Sequence, residues 1–251
     1  MEKPVDRNII KSIIKAFDVL ESLIEHEKLG VSELSRITGL GKSTTHRILN
    51  TLKYLNYVEQ DTETGNYFVS VKMFTLGNKL AINLPIKRIA RPHLEKLFEK
   101  TNETINLGIL DKQSVVYLDK IQSKEPLRIE LNIGHEVPLY CSAMGKSIIA
   151  FNKDIQLEDM EYKHYTENTV TSNKELNAQL KEIRKKGYSL DDEEYIKGLI
   201  CIAVPILDLE GKAVASVSVS LPAARLDEDK KEYYVSILKE ATSKISKDLF
   251  F

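Results

Sequence analysis

The sequence predicts an α+β protein in three parts: a small helical unit closed by a β-hairpin, a linker helix, and a larger domain with a mainly antiparallel sheet. Three observations predict it. Apolar residues recur at helical spacing from Ile9 to Leu55 and are followed by two short β-favouring runs around a glycine loop. Helical spacing returns from Val71 to Leu84. Beyond Thr104, short β-rich runs alternate with helices, which places strands and helices in one layered domain.

In the first part, Ile9–Glu25 carries Ile10, Ile13, Ile14, Phe17, Leu20, Leu23 and Ile24 at helical spacing. The pattern predicts a first helix packed under the next two. Val31–Thr38 has Glu33 in its first turn, favourable to the helix dipole, and stops at Gly39, a residue suited to the left-handed C-terminal position. Gly39-Leu40-Gly41 then reads as a tight turn with Leu40 inward. In Lys42–Leu55, Thr45, Ile48, Leu49, Leu52 and Leu55 fall on one stripe, and Ser43, Arg47, Asn50 and Tyr54 on the opposite one. Two helices joined by a three-residue glycine turn are what a helix-turn-helix uses to place its second helix in a major groove about 12 Å wide.

Tyr57–Gln60 and Tyr67–Val69, around Asp61–Asn66, predict a hairpin that completes a winged helix. Charge agrees with a nucleic-acid partner. Residues 31–57 hold Arg36, Lys42, Arg47 and Lys53 against the single acid Glu33, although the whole chain carries a net charge of −1. Local positive charge is what phosphate binding requires. Ser43, Thr44 and Arg47 are the residues expected near base edges, with Asn50 on the same DNA-binding face. Lys42, Lys53 and the wing around Gly65, Asn66 and Tyr67 are expected at phosphates or the minor groove.

Composition sets the outer bounds. A chain of 251 residues, 42% hydrophobic and 29% charged, suits two ordinary soluble domains. The N-terminal residues have no apolar core of a signal peptide. The longest charge-free stretch, Ala213–Ala224, is too short to cross a bilayer, so a cytoplasmic protein without membrane contact is expected. Cys141 and Cys201 lie far apart and form no CxxC, so neither a disulfide framework nor a zinc ribbon is indicated. No metal or cofactor is expected.

The predicted boundaries are 1–70 for the winged-helix unit, 71–84 for the linker helix and 85–251 for the second domain. Ile86–Lys100 reads as a helix that Pro92 should kink or divide. Strands are expected at Ile105–Leu110, Ser114–Ile121, Leu127–Leu131, Tyr188–Leu190, Leu199–Pro205 and Ala213–Leu221. Helices are expected at Ser142–Phe151, from the capping box Ser172–Glu175 to Gly187, and over Asp227–Phe250.

Three polar clusters mark this domain. Small residues precede the helix at Ser142-Ala143-Met144-Gly145, where N-terminal backbone amides suit an anion. Asp191–Glu194 is an acidic run just before the strand at Gly198–Ala203. Ser216-Val217-Ser218-Val219-Ser220 alternates strictly, which puts three hydroxyls on one strand face. Gly145-Lys146-Ser147 resembles the end of a phosphate-binding loop, yet Tyr140 stands where that motif needs glycine. Gly41-Lys42-Ser43 fails likewise at Arg36. A nucleophilic site on Cys201 or Ser218 would need a histidine, and only His135 lies near these clusters.

The motifs resemble those of the IclR family of transcriptional regulators, over about Ile9 to Leu249. The resemblance rests on Gly39–Arg47, on Pro138–Lys146, and on Lys186–Glu194 followed by Gly198–Ala203. It implies a winged helix, a linker helix and a GAF-like effector domain, assembled as a homodimer or homotetramer. It also implies an effector pocket formed by the amides of Ala143 and Met144 with Asp191, Cys201, Ser218 and Ser220. Such a pocket suits a small organic acid, oxo, hydroxy or sugar-derived, and the function implied is repression of a catabolic operon through binding to operator DNA. Two alternatives stand beside it: an enzyme with an appended DNA-binding module that uses Cys201 and Asp191, and a winged-helix docking protein that senses nothing.

Overall fold

The structure, a computed structural model, describes residues 8–126, 131–157 and 160–250. Its contacts divide the chain into two compact units, with the division after Ala81.

The N-terminal unit runs α1 (Lys11–His26), α2 (Val31–Thr38), α3 (Lys42–Tyr54), β1 (Val58–Gln60), β2 (Tyr67–Val69) and α4 (Val71–Asn83). Glu33 opens α2 by accepting the Gly30 N–H at 3.1 Å, and Gly39 closes it with φ +69°. Leu40 is held in the turn by the Ser35 hydroxyl, which donates to its carbonyl. Strands β1 and β2 pair antiparallel as Val58↔Val69 and Gln60↔Tyr67. The core is Val19, Leu20 and Leu23 of α1 with Leu34, Leu49, Leu52, Val58 and Tyr67.

The expected packing of α1 needs correction. Ile10, Ile13, Ile14, Phe17 and Ile24 are exposed, and only Leu20 and Leu23 of the predicted stripe are buried. The reason is size: α2, α3 and the hairpin cover a single narrow stripe of α1, too little to bury its whole apolar face. Leu55 also lies outside, since α3 ends at Tyr54 and the next residue turns away exposed.

The C-terminal unit runs α5 (Pro85–Thr101), β3 (Thr104–Asp111), β4 (Ser114–Ile121), β5 (Glu136–Pro138), α6 (Ala143–Ala150), α7 (Asn173–Lys186), β6 (Ser189–Asp192), β7 (Leu199–Leu207), β8 (Ala213–Pro222) and α8 (Glu228–Phe250). The six strands lie in the order β5-β4-β3-β8-β7-β6, antiparallel at every step. Period-two alternation sends Ile105, Leu107, Val217 and Val219 to one face, against Leu94 of α5 and Tyr234, Leu238 and Ile245 of α8. The other face packs on α6 and α7 through Ile148, Leu176 and Leu180.

Helix α5 passes through Pro92 unbroken. Proline there removes the partner of the Arg88 carbonyl; Arg88 is exposed, so water can take the lost bond. Strand β6 sits later than expected and so includes Asp191. Strand β5 is an addition, and the strand expected at Leu127–Leu131 falls on 127–130, outside the described residues.

Candidate effector site and DNA-facing surface

Lys42, Ser43, Thr44, Arg47, Asn50 and Lys53 are all exposed on α3, opposite the buried Thr45, Leu49 and Leu52. Asn50 lies 3.4 Å from His46 Nδ1, and Lys53 donates to Gln60 Oε1 at 3.0 Å, which ties the helix to the wing. The wing turn is built by Asp61, whose Oδ1 accepts the amides of Glu63 and Thr64 while Oδ2 pairs with Lys28 at 2.9 Å. That ion pair and the two amides hold the Asp61 carboxyl below the usual carboxylate range. Gly65, at φ +72°, is exposed at the tip beside half-buried Asn66.

Tyr67 must be removed from the DNA-facing set. Its side chain is 2% exposed, and its backbone exchanges two hydrogen bonds with Leu29. As a large aromatic in a small unit it serves the core.

The residues expected at an effector pocket are brought together by register. Asp191 of β6 pairs with Cys201 of β7, Cys201 with Ser220 of β8, and Ser220 with Thr104 of β3. The adjacent row runs Ser189, Ala203, Ser218, Asn106 and Lys120. Side chains two apart on a strand share a face, so both rows look toward α6. Ser216, third of the alternating serines, is engaged by α6 itself: Ser147 donates to its hydroxyl at 2.7 Å.

Ser142 caps α6, accepting from the Gly145 amide at 3.1 Å and donating to the Pro138 carbonyl at 2.6 Å. The helix starts so close to the preceding chain that a Cβ on Gly145 would lie 2.3 Å from the Leu139 carbonyl oxygen. The Met144 thioether lies over Gly108, where a Cβ would come within 2.9 Å of its sulfur. Ala143, Met144, Asp191, Cys201 and Ser218 line one small cavity with Tyr117 and Tyr195. Its free space holds about one water.

Electrostatics in the cavity follow from burial. The Asp191 carboxyl is pushed up to about 7, chiefly by desolvation, against the pull of Lys146. Its Oδ1 accepts the amides of Glu194 and Tyr195, at 2.8 and 3.3 Å. Lys146 is entirely buried, ion-paired with Glu194 and donating to Gln179 Oε1 at 2.7 Å. This pair, which no motif in the sequence signals, pins the loop after β6 to α6. Burial raises the Cys201 thiol far above its ordinary value, and Ser220 is its hydrogen-bond partner at 3.1 Å. A thiol so placed is a poor nucleophile, and no histidine bonds to it among the described residues.

A winged helix-turn-helix with an open cationic face, in one chain with a sheet domain enclosing a polar chamber, is the build of a DNA-binding regulator. Comparison with known proteins agrees. Residues 12–62 match the IclR helix-turn-helix domain, and residues 79–247 match the bacterial transcriptional regulator IclR C-terminal domain. The chain therefore belongs to the IclR family of transcriptional regulators. It is 40% identical over 242 residues to the HTH-type transcriptional regulator KdgR of Escherichia coli, covering 94% of this chain and 92% of that one. The transcriptional repressor IclR of the same organism is 30% identical, over 92% and 88% of the two chains. Among solved structures, Thermotoga maritima IclR superposes with a TM-score of 0.77 at 32% identity, over 96% and 99%. The C-terminal domain of E. coli KdgR superposes with 0.61 at 39% identity, over 66% and 99%.

Proposed function

We propose that this chain is a ligand-responsive repressor of a catabolic operon that binds a pseudo-palindromic operator as a homodimer or pair of dimers. Residues 1–70 bind DNA, 71–84 couple the two parts, and 85–251 hold the effector and complete the oligomer. The effector is a small organic acid, oxo, hydroxy or sugar-derived. The observation that carries this reading is the row Asp191–Cys201–Ser220, with Ser218 beside it and the start of α6 on the same side of the sheet. First-turn amides of a helix have no partner within the helix and suit a carboxylate, while Ser218, Ser220 and Asp191 suit hydroxyl or oxo groups.

Relatives support an acid: one solved IclR homologue, from Microbacterium hydrocarbonoxydans, is a complex with 4-hydroxybenzoate. Self-association is supported by the exposed apolar residues Ile13 and Phe17 of α1 and Phe74 and Leu80 of α4, all in the N-terminal unit. Ile13 and Phe17 border one groove with Met73 and Leu76 of α4, and contiguous exposed apolar surface marks a protein contact. On α3, Ser43, Thr44, Arg47 and Asn50 approach base edges and Lys42 and Lys53 the phosphates, with Gly65 and Asn66 at the wing.

The test is operator binding measured with and without acids drawn from a thermal-shift screen. An acid that binds only the native protein raises its stability by about 2.7 kcal/mol at a hundredfold excess over Kd. The same acid should change operator affinity, and Asp191→Ala with Ser218→Ala should abolish both effects. A bound acid that leaves operator affinity unchanged refutes the mechanism.

A further inference from the structure

The residues implied by family resemblance end at Ser218 and Ser220, but the polar face continues beyond them. On β3, Asn106 stands opposite Ser218, and Thr104 opposite Ser220. Asn106 is 2% exposed in a strand whose neighbours Ile105 and Leu107 belong to the opposite core. Its Nδ2 donates to the hydroxyls of Ser218 and Ser220, at 3.2 and 3.0 Å, and its Oδ1 has no partner. Turning the amide over would exchange the roles and leave the nitrogen unpaired instead. In either orientation one buried amide atom is unmet, which is costly unless something meets it.

That amide lines a second small cavity, with Thr104, Ser220, Lys120 and Arg225. Tyr117, Leu131 and Leu199 line both cavities, so they form the wall between them. Arg225 is occupied by Glu103 at 2.6 Å, and the Lys120 ammonium donates to the Leu131 carbonyl at 2.8 Å. The chamber is thus polar at its floor, and its cations are already engaged. It offers hydrogen bonds rather than a free charge.

We infer that the second chamber is a distal subsite of the effector pocket, in which Asn106, with Ser220, reads a hydroxyl at the far end of the ligand. This rests on the effector reading above and sets the ligand's length. From β6, which carries Asp191, to β3, which carries Asn106, is three strand spacings, about 14 Å. A three-carbon acid cannot engage both ends, whereas a hydroxylated acid of about six carbons can. Tyr117, Leu131 and Leu199 move aside when such a chain enters. Asn106 is therefore a specificity residue, selecting long hydroxylated acids over short oxo acids.

The test titrates the full-length protein with pyruvate and glyoxylate, and with D-gluconate, D-galacturonate and D-galactarate, by calorimetry. The wild type should prefer at least one six-carbon acid over pyruvate. Asn106→Leu should cut that acid's affinity about tenfold or more, the worth of a lost buried hydrogen bond, and leave pyruvate within about twofold. Asn106→Ala, which only removes atoms, serves if the leucine variant does not fold. Equal losses for long and short acids, or no loss for the long one, overturn the subsite while leaving the effector pocket intact. Wild type that binds only the two-carbon and three-carbon acids also overturns it. No binding of any acid overturns the effector reading, and the subsite falls with it.

Discussion

Replacing Lys146 by methionine tests the strongest electrostatic claim in the C-terminal unit. Lys146 is 0% exposed and its ammonium meets Glu194, whose side chain is 7% exposed, and Gln179. Methionine fills much of the volume but leaves the Glu194 carboxylate with only the Gln179 amide, at 3.5 Å. Breaking a buried pair from one side costs about 3–5 kcal/mol. At about 2–4 °C per kcal/mol for a unit of this size, thermal unfolding of the full chain should shift down by about 6–20 °C. Burial already raises the Glu194 carboxyl and Lys146 opposes the rise, so removing the lysine drives it higher. An acid whose pKa is raised in the folded state binds more protons there, so stability is retained below the unfolded value and lost as pH rises through the folded one. The deficit should accordingly be smaller at pH 5 than at pH 8. Lys146→Met with Glu194→Leu should recover most of the loss, because an apolar pair needs no compensation. A loss below about 1 kcal/mol, or a double variant no better than the single, refutes the reasoning.

Four further outcomes are expected. Asp191 is raised from an ordinary 3.8 to about 7 by burial, so its contribution to wild-type stability falls away between about pH 4 and 7, by up to about 4 kcal/mol; Asp191→Asn should gain on wild type from pH 5 to pH 8, and a constant melting difference would contradict this. Arg47→Ala should relax sequence preference, while Lys42→Ala should weaken binding to all DNA and lower the salt slope by about one; equal loss from Arg47→Ala on operator and random DNA would exclude base reading. Gly145→Ala forces the start of α6 away from Leu139, so melting should drop by the equivalent of about 1–3 kcal/mol and acid binding should weaken; a neutral variant would mean the contact is slack. Phe17 is 56% exposed on α1, so Phe17→Lys should leave the melting temperature of the monomer near wild type but weaken self-association in sedimentation, and unchanged association would place the interface elsewhere.

Periodicity made most of the fold legible, because long amphipathic segments such as Glu228–Phe250 and strict alternation such as Ser216–Ser220 each admit one orientation. Short or two-sided elements were not. Strand β5 has three residues, too few for any period to show, and α1 has an apolar face wider than its own unit can bury. Tyr67 was misplaced because tyrosine near a wing tip fits DNA as well as it fits a core; its inward position is fixed by pairing with Gln60 and Leu29, which sequence does not state. At the candidate effector site the residue types are legible but not their row, since Asp191, Cys201 and Ser220 meet only through two strand registers. Asn106 carried one usable signal, a lone amide between Ile105 and Leu107. Its meaning depends on which strand lies beside it.

The tightness of the chamber bears on how an acid could act at a distance. Tyr117, Leu131 and Leu199 close the two cavities to about a water or two, so a ligand of any size must first part them. Contacts made equally in the parted and closed arrangements would give affinity without regulation. Moving an equilibrium from one part in a hundred to ninety-nine needs about 5.5 kcal/mol of preference for one arrangement. Two amide bonds to a carboxylate at the start of α6 supply about 3–6 kcal/mol, and an alcohol meeting the Asn106 amide about 1 more. The carboxylate alone falls short of the requirement over most of that range, and the alcohol narrows the gap only when both ends are engaged in the parted arrangement alone. A short acid that binds at α6 without reaching β3 should therefore occupy the pocket and yet release the operator incompletely, whatever its affinity.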